Sequence, residues 1–155
     1  MNKRDAAELP FSRYEGGGLV PLPIPGSADG TARHGYGLEV FKACGYACAY
    51  CGRNLARPYE AWLDLSVDHV VPGYLSTSGY PAKWIKGLSN LVTCCRACNE
   101  FTNGYRAPDH PPTTFGEFAT LRDQCFRDKR DLANRRHAAE RQIYARSEPI
   151  SRDAS

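Results

Sequence analysis

Two Cys-x-x-Cys pairs, Cys48–Cys51 and Cys95–Cys98, limit what this chain can fold into more than any other feature. Each pair offers two sulfurs from one tight turn, and four together suit a tetrahedral metal with thiolates at about 2.3 Å. Gly52, directly after Cys51, lets the backbone turn sharply so that amides face the sulfurs. The 43 residues between Cys51 and Cys95 exceed the roughly 15–20 of the simplest paired pattern. The insertion must therefore be a structured excursion that leaves the metal site and returns to it. In small zinc peptides such a site contributes about 10–16 kcal/mol, enough to decide folding. Zinc is the expected structural metal.

The remaining cysteines support metal over disulfides. Seven is an odd number, which argues against a fully paired framework. No apolar segment follows Met1-Asn2-Lys3-Arg4-Asp5, so no secretory signal is read, and no run of about 18 apolar residues predicts a membrane span. The expected setting is cytoplasmic and reducing, where paired cysteines serve metals. Cys44 or Cys94 could replace a neighbour as ligand. However, Cys44 lacks the Tyr50-Cys51-Gly52 turn, and Cys94 lies one residue too far from Cys98. Both read as small packed residues, as does Cys125 on a helix face.

The 155 residues fit one domain with tails. Residues 1–38 read as an extended or flexible arm, punctuated by Gly16-Gly17-Gly18 and by the alternating prolines Pro21, Pro23 and Pro25. Residues 39–106 form the expected core. Within it Glu39–Ala43 reads as a strand or a helical turn, Tyr59–Val67 as a strand, 73–89 as a loop anchored by Trp84 and Ile85, and Asn90–Cys94 as a strand. Cys95–Gly104 reads as a short helix closed by Gly104. Residues 107–146 are a linker and a helix that starts near Phe115. Thr113 or Thr114 is its candidate cap, with Glu117 placed for a capping box if Thr114 is the cap. Phe118, Leu121, Cys125 and Leu132 share one face of that helix, which Ile143 and Tyr144 could extend. Arg135, Arg136, Arg141 and Arg146 serve either a solvated face or phosphate contacts. Residues 147–155 are a tail.

The excursion carries Val67-Asp68-His69-Val70-Val71-Pro72, an Asp-His pair at the end of an apolar run. Phosphodiester hydrolysis needs a base near neutral pKa, a cation against the phosphate charge and a Lewis acid at the leaving oxygen. His69 can be the base. Asp68 and Asn99 can offer hard oxygen ligands, with Asn103 the alternative to Asn99. On a regular strand Asp68 and His69 point to opposite faces. The formal charge of +3 is compatible with nucleic acid without demanding it.

With Cys48-Ala49-Tyr50-Cys51-Gly52-Arg53, Leu65–Pro72 and Leu88–Asn99 in place, the chain resembles the HNH endonuclease family in its zinc-bearing ββα-metal form, over about residues 44–104. The resemblance implies an α+β fold: a ββα-metal core with a structural four-cysteine zinc site, an extended N-terminal arm and a C-terminal helix. It implies DNA as partner, His69 as general base, and Asp68 and Asn99 as ligands of one Mg²⁺ or Mn²⁺. Asn90 would brace the loop between the strands, and the product would carry a 5′-phosphate. Thr102 stands where the family often has lysine, so Arg96 or Arg106 would make the phosphate contact. A zinc-stabilised nucleic-acid-binding module without activity is the rival expectation. RNA would serve the same residues as substrate.

Overall fold

The computed structural model describes residues 36–147. The N-terminal arm and the tail lie, apart from their innermost residues, outside them. The chain is mixed α and β, with one two-stranded sheet and a long C-terminal helix.

Helix α1, Tyr36–Ala43, resolves the Glu39–Ala43 alternatives in favour of helix. Its Val40 and Phe41 are buried. Gly45 and Tyr46 follow at φ 61° and 55°, and the Tyr46 amide returns 2.8 Å to the Phe41 carbonyl. This left-handed pair stops the helix and turns the chain into the first cysteine turn.

The strand expected over Tyr59–Val67 is divided. Its first part is helix α2, Tyr59–Leu63, and only its end belongs to β1, Leu65–His69. Pro58, at φ −70°, precedes the helix. Tyr59 and Trp62 stack with ring centroids 6.2 Å apart, which suits one helical turn, whereas a strand would put them on opposite faces.

The expected loop at 73–89 is built of short helical pieces: 3₁₀ turns at Gly73–Thr77 and Leu88–Asn90, with α3 at Ala82–Ile85 between them. Trp84 and Ile85 are buried, as expected of anchors. Strand β2, Leu91–Cys95, runs antiparallel to β1, pairing Asp68 with Val92 and His69 with Leu91.

A hairpin this small is marginal by itself, and both of its faces are covered. Val40 of α1 and Cys44 just after it pack with Leu91 and Val67. The larger cluster gathers Val92, Cys94, Trp84 and Ile85 against the C-terminal helix. All five β2 residues are buried in consequence. Cys44, Cys94 and Cys125 are buried too.

Helix α4, Arg96–Thr102, follows β2 directly; Cys95 belongs to the strand, Asn103 is the C-cap and Gly104 comes next. Helix α5, Phe115–Arg146, spans 32 residues, about 48 Å. Thr114 caps it, its Oγ1 accepting from the Glu117 amide at 3.1 Å. The Glu117 carboxylate reaches past the cap to the Thr113 amide at 2.7 Å, a box one residue wider than expected. The docked face carries Phe118, Arg122, Cys125, Phe126, Lys129 and Ala133. Ile143 and Tyr144 do not extend it: they are 58% and 79% exposed, because the helix has by then run past the core. Among the described residues, no helix is long and apolar enough to cross a membrane.

Candidate metal centre and adjoining pocket

The two cysteine turns are built locally and brought together by the hairpin. In the first, the Gly52 amide donates to the Cys48 carbonyl at 2.8 Å and the Cys48 amide to the Arg53 carbonyl at 2.9 Å. Gly52 sits at φ 75°, a conformation that strains any residue with a Cβ. In the second, Cys95 ends β2 and caps α4, its sulfur accepting from the Cys98 amide at 3.4 Å. The four sulfurs of Cys48, Cys51, Cys95 and Cys98 all lie within 4.8 Å of one another. Those of Cys51 and Cys95 are 3.9 Å apart, close to the edge of about 3.8 Å of a tetrahedron with metal–sulfur bonds of about 2.3 Å.

This cluster fits a metal site and could hold zinc. Four crowded sulfurs cannot all ionise without a cation. Thiol donation from Cys48 pulls Cys51 down to about 6 and holds Cys95 well below the thiol range. Hydrogen bonding within the same cluster pushes Cys48 and Cys98 far up. A divalent cation would let all four be thiolates.

His137 of α5 adds a contact that sequence spacing does not reveal. Its Nε2 lies 3.2 Å from the Cys98 sulfur, and its ring stands edge-on to Phe101 at 5.0 Å. With the proton on Nε2, the ring would orient a metal-binding thiolate and spread its charge.

Beside the cluster, the end of β1, the turn that follows it, α4 and the middle of α5 enclose an open pocket of about 340 Å³. Asp68, His69, Asn99, Thr102, Tyr74 and Lys129 border it. Asp68 and His69 were expected on opposite faces of β1, yet both reach this pocket, which wraps the strand end.

Asp68 is held on one oxygen. Its Oδ2 accepts from Lys129 Nζ at 2.8 Å and from the Tyr50 hydroxyl, while Oδ1 has no hydrogen-bond partner among the described residues. Burial pushes the Tyr50 phenol well above its usual range, so it stays a donor. Lys129 also donates to the His69 carbonyl at 2.7 Å, and its ammonium lies 5.9 Å from the Tyr105 ring centroid.

His69 has its pKa lowered below 6.5, mainly by burial, with Lys129 and Lys86 adding to the effect and Asp68 opposing it. At neutral pH the ring is therefore neutral and able to accept a proton. A Cβ on Gly73 would come within 3.8 Å of the His69 ring, an ordinary contact.

Asn90 is fully buried. Its Oδ1 accepts from the Val71 amide at 2.8 Å, and its Nδ2 donates to the Val71 carbonyl at 2.9 Å and the Ile85 carbonyl at 2.8 Å. Its own carbonyl accepts from the Val70 amide at 2.8 Å. Asn90 thus ties the residues just after His69 to α3.

Asn99 reaches the pocket from α4, its Nδ2 donating to Ser66 Oγ at 3.0 Å, so its carbonyl oxygen is the end left over. Asn103, the alternative, is an exposed residue at the pocket edge. Arg106 lies over the ring of the lining residue Tyr74 at 5.2 Å, without lining the pocket itself. Arg96 is exposed at the start of α4 and does not border the pocket.

Lys129 and Tyr50 were not singled out in the sequence. Lys129 had a readable signal, since it interrupts the apolar stripe of α5 four residues after Cys125 and four before Ala133. A lysine at a core position implies a buried anion. Tyr50 offered no such signal. The chain matches no protein-family model, no curated protein and no solved structure with which it was compared.

Proposed function

We propose that the chain is a metal-dependent endonuclease resembling the HNH family, hydrolysing DNA phosphodiester bonds. The observation that carries this reading is the convergence of Asp68, His69 and Asn99 on one open pocket. The residues come from β1 and α4, beside the four-sulfur cluster. In this reading Cys48, Cys51, Cys95 and Cys98 hold a structural zinc. Its loss would separate the helix bearing Asn99 from the turn that precedes β1.

His69, held neutral by burial, takes the proton of the attacking water. Asn90 keeps the chain after His69 in place. Asp68 Oδ1 and the Asn99 carbonyl oxygen would hold one Mg²⁺ or Mn²⁺. A single carboxylate with waters and substrate phosphate is an ordinary ligand set for Mg²⁺. When bound, such an ion supplies positive charge to the phosphate and a Lewis acid at the leaving 3′ oxygen. Arg106, held over the Tyr74 ring, contacts the phosphate backbone in the role that Thr102 cannot fill. Arg96, away from the pocket, is left with flanking phosphates.

The rival, a zinc-stabilised nucleic-acid-binding module without activity, gains from one observation: Lys129 already neutralises Asp68. Plasmid cleavage with Mg²⁺, with Mn²⁺ and with chelator separates the two. His69→Ala is expected to lower cleavage by about 10²–10⁴-fold while zinc content and helicity stay at wild-type values. Cleavage by this variant at the parental rate removes His69 from the base role. Binding of DNA without cleavage under either ion favours the rival.

A further inference from the structure

We propose that Lys129 acts as a built-in competitor of the catalytic ion, making divalent-metal binding at Asp68 weak until a phosphate arrives. The inference rests on the metal-dependent reading above. Lys129 comes from the C-terminal helix, 61 residues from Asp68 and outside the stretch that resembles the nuclease family. Its side chain is 4% exposed, and its ammonium lies 2.8 Å from Asp68 Oδ2. The His69 carbonyl at 2.7 Å holds it there as well.

Charge balance gives the consequence. Asp68 and Lys129 sum to zero, and Asn99 is neutral. An ion at Asp68 Oδ1 would therefore enter a site with no net negative charge, beside a fixed ammonium. In bulk water two like unit charges about 4 Å apart repel by about 1 kcal/mol, and a divalent ion by twice that, so a neighbouring ammonium weakens ion binding by roughly tenfold or more; a less polar surrounding strengthens the effect. A phosphodiester adds the missing negative charge. Ion and substrate thus enter the pocket as mutually dependent ligands.

A purely structural lysine predicts the opposite response to substitution. If Lys129 only held Asp68 in position, its removal would loosen the carboxylate and leave metal binding unchanged or weaker. If it competes, removal frees the carboxylate charge and tightens binding.

The test measures Mn²⁺ affinity of the zinc-loaded full chain without nucleic acid, from the electron paramagnetic resonance signal of free Mn²⁺. Lys129→Met and Lys129→Gln are each expected to bind Mn²⁺ about tenfold more tightly than wild type, or better. Lys129→Arg, which keeps the charge, is expected to stay weak. Adding Asp68→Asn to Lys129→Gln should abolish the gain. Unchanged or weaker affinity in folded Met and Gln variants overturns the proposal, as does unfolding of both, which would make the lysine a stability element. The nuclease reading fails separately, through absence of cleavage. A chain that never cuts yet shows the Mn²⁺ gain loses the function and keeps this ion site. A chain that cuts without the gain loses only the role of Lys129.

Discussion

Replacement of Asn90 offers a direct measure of how the pocket is held. The Asn90 amide satisfies three buried backbone groups, namely the Val71 N–H, the Val71 carbonyl and the Ile85 carbonyl. In Asn90→Ala all three lose their partner away from solvent. An unsatisfied buried group costs about 1–3 kcal/mol. Carbonyls fall at the low end, so a loss of about 4 kcal/mol is expected, a large share of the roughly 5–15 kcal/mol of a small domain. With a urea slope of about 1.5 kcal/mol per molar, the midpoint should fall by about 2.7 M in saturating zinc. Asn90→Asp discriminates further. It keeps the volume and an acceptor for Val71, but turns the donor into an oxygen facing the Val71 and Ile85 carbonyls. It should be at least as damaging as alanine. The His69 ring resonances should move in both variants, because Val70 and Val71 leave their tether. If Asn90→Asp unfolds within about 1 kcal/mol of wild type, the residue only fills space and the bracing argument is wrong.

Two further outcomes are expected. Removing metal with a strong chelator should abolish cooperative folding, since a four-thiolate site contributes on the order of 10 kcal/mol. Loss of the near-ultraviolet dichroism of Trp62 and Trp84, with one equivalent of zinc released, reports it, and a chain that keeps a sharp melting transition after metal removal refutes it. Burial pushes the Cys125 thiol up to about 11 from 9.0. Its contribution to stability is complete below about pH 9 and is lost as pH rises through about 11. At pH 8 the native chain should therefore alkylate at Cys125 far more slowly than free cysteine, read by peptide mass spectrometry, and labelling at the rate of free cysteine contradicts the burial argument.

Much of the site is legible because its information is local. A Cys-x-x-Cys turn places two sulfurs from four residues of chain, and Cys98-Asn99 adjacency puts the amide on the helix that the second pair begins. The Thr114 start of the long helix and the burial of Trp84 and Ile85 are local in the same way. Where local signals compete, reading fails. Trp62, Leu63, Leu65 and Val67 alternate well enough for a strand, but Pro58 and the Tyr59–Trp62 stack favour a helical turn before β1. Ile143 and Tyr144 continue a helical spacing, yet nothing remains for them to pack on.

The amino-acid order by itself determines which side chains are candidates for the site: four sulfurs in two turns, and a carboxylate, an imidazole and two amides on the segments next to them. Only the tertiary structure decides what those groups touch. The folded chain brings Lys129 to Asp68 across 61 residues, His137 to Cys98 across 39 and Tyr50 to Asp68 across 18. The physical reason is that covalent neighbours are set by backbone geometry over a few residues, whereas electrostatic neighbours are set by how the long helix docks on the hairpin, an outcome of burying Phe118, Cys125 and Phe126 together.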